Sequence, residues 1–350
     1  MHAWTDALAA GRELSPDEVD AAAAYLLDPQ VSDTVKEELL ESLASKGETA
    51  GEIGGFVEAF LAHAVDPRLT ELECCGPTLD VCGTGGDRLD LFNVSTTSMF
   101  VAAAAGAVVV KHGNRGITSK SGGADVLEAL GIRIDLDPSG FRSCIAAAGV
   151  GFLFAPLYHP AFKAVVSVRK SLAAKGVKTL FNLIGPLLNP AKPDFQLLGV
   201  FRNDLCPSFA TILQRLGRRG AWIVHGNTAD GSPVDEVSLM GPTRICRMLE
   251  LGTSAEEIIH PRQFGMEPAD PEALRGGDAR TNAEILKAIL SGSERGPRRD
   301  IVLLNAAAAI TCCRLADNLE QGIAIARDAI DSGAAADRLR RLQQASVQTE

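Results

Sequence analysis

The spacing of apolar and polar residues changes character once along the chain. Over residues 1 to about 68 it has the helical period only. Ser15-Pro16-Asp17-Glu18 reads as a capping box with proline at the first helical position, leading into a helix over 19–27. A second helix is predicted over 31–43, and a second capping box, Thr49 to Glu52, leads into a third over 56–64. From about residue 79 short apolar runs alternate with helical segments. They predict strands at 79–82, 107–110, 132–134, 150–154, 196–201, 221–225 and 237–240, with helices at 99–105, 125–130, 138–148 and 207–216. Residues 158–189 interrupt this rhythm, being helical and loop-like, with Gly185-Pro186 and Asn189-Pro190 as breakers. Helices at 282–290, 301–313, 318–332 and 335–344 complete the pattern.

The expected architecture is α/β: a small all-helical domain plus a larger α/β domain with a mostly parallel central sheet. The three amphipathic helices at the start are too small for a core of their own. The helical domain is therefore expected to comprise 1–70 joined by helices from about 162–188. Residues 71–161 and 189–345 would form the α/β domain, and 346–350 a polar, frayed tail.

Composition narrows the function. Hydrophobic residues make up 46% of the 350, ample for a large core. The formal net charge of -10 argues against a nucleic-acid surface, so an anionic ligand needs a local cationic cluster. Eight cysteines include the vicinal pairs Cys74-Cys75 and Cys312-Cys313, without CxxC or zinc spacing. Most lie in apolar runs and read as buried free thiols in a reducing cytosol. There is no signal pattern and no stretch of membrane-span length, so the expected location is cytoplasmic and the expected partners exclude membrane.

The chemistry concentrates in residues 79–131. The first strand breaks into Gly83-Thr84-Gly85-Gly86-Asp87, where glycines permit backbone angles that bring N–H groups onto an anion. Asn93-Val94-Ser95-Thr96 marks a helix start, with Ser95 or Thr96 as its cap, another place suited to phosphate. Lys111-His112-Gly113-Asn114-Arg115 follows the second strand and supplies cations, and Ser119-Lys120-Ser121-Gly122 adds a hydroxyl-rich turn. A glycine-rich turn alone is often only a turn, and this spacing is neither GxGxxG nor GxxxxGK[ST]. The conjunction points to a highly phosphorylated ligand. Asp87 is suited to a metal or a sugar hydroxyl. Asp235-Glu236, two carboxylates at a strand end, can hold Mg²⁺ or simply edge a solvated loop. His112, His159 and His225 are acid/base or hydrogen-bonding candidates, and Arg169 reads as a helix-surface charge or a binding group.

Taken together, GTGGD at 83–87, NVST at 93–96, KHGNR at 111–115, SKSGGADVLEALG at 119–131 and FAPLYHPA at 154–161 resemble the anthranilate phosphoribosyltransferase family. FNLIGPLLNPA at 181–191, DEVSL at 235–239 and GGDARTNA at 276–283 extend the likeness over nearly all the chain. The resemblance implies a nucleoside phosphorylase/phosphoribosyltransferase type fold with a cleft between two domains, and a homodimer. It implies transfer of the phosphoribosyl group of 5-phosphoribosyl 1-pyrophosphate to the amine of anthranilate, in tryptophan biosynthesis. The donor falls to Gly83, Gly85, Gly86, Asp87, Asn93, Ser95, Thr96, Lys111, His112, Gly113, Asn114 and Ser119. Anthranilate falls to Gly83, His112, Asn114, Pro156, His159, Phe162 and Arg169. Ser95, Asp235 and Glu236 match the positions holding two Mg²⁺ ions, and Lys111, Asp235 and Glu236 are the expected catalytic groups. Two other readings exist, a pyrimidine nucleoside phosphorylase-like enzyme and a non-catalytic nucleic-acid-binding relative. Lys111 to Arg115 suits pyrophosphate better than a single phosphate, and the acidic balance opposes the second.

Overall fold

The computed structural model describes residues 3–72, 75–87, 89–116, 120–248 and 254–348. The chain divides into two compact units, 1–65 with 156–190, and 66–155 with 191–350.

The first unit is helical: Ala3–Ala9, Pro16–Leu27, Asp33–Lys46, Ala50–Ala62 and Val166–Ala174, with 3₁₀ turns at Pro160–Val165, Leu180–Asn182 and Gly185–Leu187. Both capping boxes form. Ser15 Oγ accepts from Glu18 N at 3.3 Å, and Glu52 returns a carboxylate oxygen to Thr49 N at 2.9 Å. The buried Glu52 also accepts from Leu14 N at 2.9 Å and pairs with Lys46 at 2.7 Å, joining three segments through one charge. Leu26, Leu40, Leu43, Phe56 and Phe60 form the interior. The later segment supplies the missing packing: Asp33–Lys46 lies against Val166–Ala174, and Lys36 Nζ donates to Ala164 O at 2.8 Å. The returning chain enters this unit at Pro156 rather than at about 162, and Val65 N donates to Tyr158 O at 2.8 Å.

The second unit is built on an eight-stranded sheet. Its strands are β1 (Thr78–Gly83), β2 (Val108–Gly113), β3 (Val150–Phe154), β4 (Phe195–Gly199), β5 (Gly220–Asn227), β6 (Pro233–Val234), β7 (Thr243–Met248) and β8 (Ser254–Ile259). The order is β3-β2-β1-β4-β5-β7-β8, parallel from β3 to β5, with β6 and β7 antiparallel to β5 and β8 antiparallel to β7. The parallel strands are almost continuously apolar because helices cover both faces. Pro297–Cys312 is buried on nearly all sides and packs on Val94–Ala104 and Leu319–Asp331.

Three expectations need correction. Residues 132–134 form no strand; Ile132 and Ile134 are buried without a ladder, and Arg133 N donates to Ser346 Oγ at 3.2 Å. Residues 237–240 form a tight buried turn, not a strand. The strand lies at β7, where Arg244 and Arg247 obscured the apolar pattern. The final helix, Ala334–Gln348, runs into the expected tail as far as Gln348 because Leu342, Ala345 and Ser346 are buried; residues 349–350 lie outside the described residues.

Candidate active site

Sheet order reverses between β1 and β4: the chain proceeds from β1 to β2 and β3 on one side, then to β4 and β5 on the other. Such a reversal leaves a crevice at the carboxyl ends of the two strands. Gly83 and Gly199 are the paired residues at those ends. There Thr84 N donates to Gly199 O at 2.9 Å, and Phe201 N to Thr84 Oγ1 at 3.2 Å. Gly85 and Gly86 then take φ of 71° and 97°, which a side chain would oppose. The turn presents Gly85 N to Asp235 Oδ2 at 2.6 Å.

Asp235 and Glu236 follow directly after the short β6, whose Val234 pairs with Gly226. Their backbone rests on glycines at the ends of three adjacent strands. A Cβ on Gly83 would lie 2.6 Å from Asp235 Oδ2, one on Gly199 1.6 Å from Asp235 O, and one on Gly226 2.5 Å from Glu236 O. Beyond the pair, the fully buried Asn305 grips Val237 at both ends. Its Oδ1 accepts from Val237 N and its Nδ2 donates to Val237 O, each at 2.9 Å.

Charge in this crevice is concentrated and unbalanced. Burial, then the negative charge of Asp87, pushes the Asp235 carboxyl up to about 7. Burial, then Asp235, holds Glu236 well above the usual carboxylate range, against the opposing pull of Lys111. Lys111, buried at the end of β2, donates to Val81 O and places Nζ 3.4 Å from Ser95 Oγ. The Ser95 backbone N–H also pulls the Glu236 carboxyl down, against its burial. The helix Val94–Ala104 starts two or three residues earlier than a cap at Ser95 or Thr96 would place it. Asn93, not Ser95 or Thr96, occupies the cap position, and its side chain makes no cap bond. Thr96 is buried behind it.

The structure thus brings together Gly83, Gly85, Asp87, Ser95, Lys111, Asp235 and Glu236. His112 is buried and Gly113 lies against Phe152, while Asn114 is exposed and accepts from Arg115 N at 2.8 Å. Arg115 differs from expectation as a free phosphate cation. It is held by Asp125 and Glu128 and stands 5.5 Å over the Phe154 ring. Ser119 lies outside the described residues.

The remaining acceptor candidates belong to the helical unit. Pro156 is exposed. The His159 ring stacks on Phe162 at 5.1 Å and bonds Leu188 O at 2.8 Å; its burial lowers the imidazole pKa. Arg169 lies 5.0 Å over Phe181, and burial lowers its guanidinium pKa. Phe60 and Phe181 stack at 5.7 Å and complete this aromatic group. Sequence reasoning missed Phe60 and Phe181 in this role, as well as Gly199, Gly226 and Asn305. Glycine at a strand's carboxyl end is the one available signal, and only for Gly199 and Gly226.

Among the described residues, no group of three or more His, Cys, Asp or Glu has the geometry of a metal cage. Magnesium fits nonetheless. Asp87 raises the proton affinity of Asp235, and Asp235 that of Glu236, in a crevice lined by hydroxyl and N–H groups. Mg²⁺ needs only one or two carboxylates when waters and phosphate oxygens complete its shell.

Comparison with known proteins agrees over both units. Residues 75–336 match the model "Glycosyl transferase family, a/b domain", and 4–64 match "Glycosyl transferase family, helical bundle domain". An anthranilate phosphoribosyltransferase of Thermomicrobium roseum is 44% identical over 336 residues, 95% of this chain and 93% of that one. The chain belongs to the anthranilate phosphoribosyltransferase family. The crystal structure of the anthranilate phosphoribosyltransferase from Thermus thermophilus superposes with a TM-score of 0.88 at 36% identity, covering 98% of this chain and 99% of the other. The Saccharomyces cerevisiae member, solved in complex with PRPP and Mg, gives 0.86 at 28% identity, covering 99% and 97%. PRPP is 5-phosphoribosyl 1-pyrophosphate. No helix among the described residues is long and apolar enough to cross a membrane.

Proposed function

We propose that the crevice at the ends of β1, β2 and β4 holds 5-phosphoribosyl 1-pyrophosphate, and that the Arg169 cluster of the helical unit holds anthranilate. The chain is a glycosyltransferase that moves the phosphoribosyl group to the anthranilate amine, giving N-(5-phosphoribosyl)anthranilate and pyrophosphate, in tryptophan biosynthesis. The bond from the anomeric carbon to pyrophosphate breaks, the amine nitrogen bonds that carbon, and the amine loses a proton to solvent.

One observation carries the donor assignment: two proton-hungry carboxylates beside a glycine turn and a buried lysine, at the sheet's switch point. That arrangement suits a polyphosphate bringing its own cations. Ser95, Asp235 and Glu236 would hold two Mg²⁺ ions, which when bound would neutralise charge on the diphosphate. Lys111 and the N–H groups of the glycine turn and of the helix start stabilise charge as the diphosphate departs. Arg169 pairs with the anthranilate carboxylate, while Phe162 and His159 bound its ring. The aryl amine keeps its lone pair at neutral pH, so no general base is required, and His112 lines the site. The chain acts as a cytoplasmic homodimer, a reading that rests on the family resemblance.

Titration calorimetry with 5-phosphoribosyl 1-pyrophosphate and Mg²⁺ tests the assignment. Asp235→Ala with Glu236→Ala should remove the metal-dependent part of donor binding while far-UV dichroism stays unchanged. Undiminished metal-dependent binding would refute it.

A further inference from the structure

The motif GGDARTNA at 276–283 has no part in the chemistry above, yet it is built against the donor crevice. Leu91 bridges Arg275, Phe92 N donates to Leu274 O at 3.2 Å, and Gly276 N to Asp90 O at 2.8 Å. These bonds sew the segment before the helix start onto 274–276. The approach is close enough to require glycine: a Cβ on Gly276 would lie 2.7 Å from Phe92 Cα and 2.6 Å from Asn282 Oδ1.

Asn282, 3% exposed in the first turn of the helix Ala279–Leu290, stands at the centre of this contact. Its Oδ1 accepts from Gly277 N at 2.8 Å, which fixes which way its amide faces. Nδ2 is thereby directed to Asn93 Oδ1, also at 2.8 Å, and to Gly277 O at 3.3 Å. With its oxygen so occupied, Asn93 turns its own Nδ2 to Ser121 O at 3.2 Å. Two amides in series, one buried and one half-buried, therefore translate one backbone N–H into a definite orientation of Asn93. Asn93 in turn spans two stretches of the crevice, the helix start with Ser95 and Thr96 and the turn leading into Gly122 and Gly123.

We propose that Asn282 is a positioning residue for the phosphoribosyl donor: it sets the amide of Asn93 and so fixes the spacing between the helix start and the turn at 121–123. The inference rests on the donor reading of that crevice. Asn282→Asp preserves the size and the acceptor for Gly277 N but presents a second oxygen to Asn93 Oδ1, forcing that amide to flip or withdraw. Losing one buried hydrogen bond and orphaning its partner weakens donor binding roughly 10- to 100-fold.

The experiment is calorimetric titration of Asn282→Asp and Asn282→Leu with 5-phosphoribosyl 1-pyrophosphate and Mg²⁺, alongside steady-state KM values for both substrates. The expected result is a donor Kd and KM raised at least about 10-fold in both variants, with the anthranilate KM changed less than about twofold. Donor affinity within twofold of the parent, or equal effects on both substrates, overturns the proposal. If Asn282→Leu fails to fold, Asn282→Asp decides; loss of fold in both would assign Asn282 to stability alone and also overturn it. A parent chain that binds no donor would instead overturn the donor reading itself.

Discussion

Replacing Gly199 by alanine tests the seat of the carboxylate pair. The added methyl would stand 1.6 Å from Asp235 O and 2.4 Å from Asp235 C. Carbon and oxygen that are not bonded rarely approach within about 3 Å, so something must yield by about 1.4 Å. β4 is the less able to move. It is paired on both sides, to β1 and β5, and Gly199 O already accepts from Thr84 N at 2.9 Å. The 235–236 segment is displaced instead, and the 2.6 Å bond between Gly85 N and Asp235 Oδ2 breaks. A misplacement near 1 Å costs on the order of 100-fold in rate, whereas overpacking costs about 1–3 kcal/mol of stability. For a unit of this size that lowers Tm by roughly 2–10 °C. Anthranilate consumption followed by fluorescence across a Mg²⁺ series should show kcat/KM down about 100-fold with a higher Mg²⁺ requirement. A variant with parental kcat/KM and Mg²⁺ dependence would refute the argument.

Asn305→Ala leaves Val237 N–H and C=O without their partner in a fully buried place. At about 1–3 kcal/mol for each orphaned group, Tm should drop by roughly 10 °C, and a change under about 2 °C would contradict it. With Arg169 proposed to pair with the anthranilate carboxylate, Arg169→Ala should raise the anthranilate KM about 100-fold while the donor KM stays near its parental value; equal effects would oppose the acceptor role. His159 has a lowered pKa, so the unfolded chain binds more protons in the window just below the ordinary histidine value. The contribution of His159 is therefore complete above about pH 6.5 and declines as pH falls through the lowered folded value. Thermal melts of His159→Phe against pH should be flatter than the parent's below about pH 6.5, and identical slopes would refute this.

Residues with local signals were legible in the sequence; residues whose role depends on what crosses them were not. Ser15 and Thr49 announced helix starts because a cap and its reciprocal acid lie three positions apart. The parallel strands were visible because burial on both faces makes them continuously apolar. β7 was not, since Arg244 and Arg247, three positions apart and so on opposite faces of the strand, break both the apolar run and the alternation. In the crevice, Gly85, Lys111 and Asp235 carry types that suit phosphate and metal wherever they occur. Gly199 matters only because Asp235 O lies over it, thirty-six positions later in sequence. Arg115 has the right charge, but Asp125 and Glu128 on the following helix claim it. Asn282 and Asn305 look like ordinary polar helix residues until the backbone atoms that they bond are known.

The crevice beside β1 and β4 is proposed to hold a sugar diphosphate for attack by an aryl amine. The most direct measurement is the fluorescence of anthranilate mixed with the purified chain, 5-phosphoribosyl 1-pyrophosphate and Mg²⁺. Fluorescence should fall until the limiting substrate is spent, one pyrophosphate appearing per anthranilate lost, and should hold steady with EDTA or with Asp235 and Glu236 replaced by alanine. Constant fluorescence with all components present, or loss that continues unabated in that double variant, would contradict it.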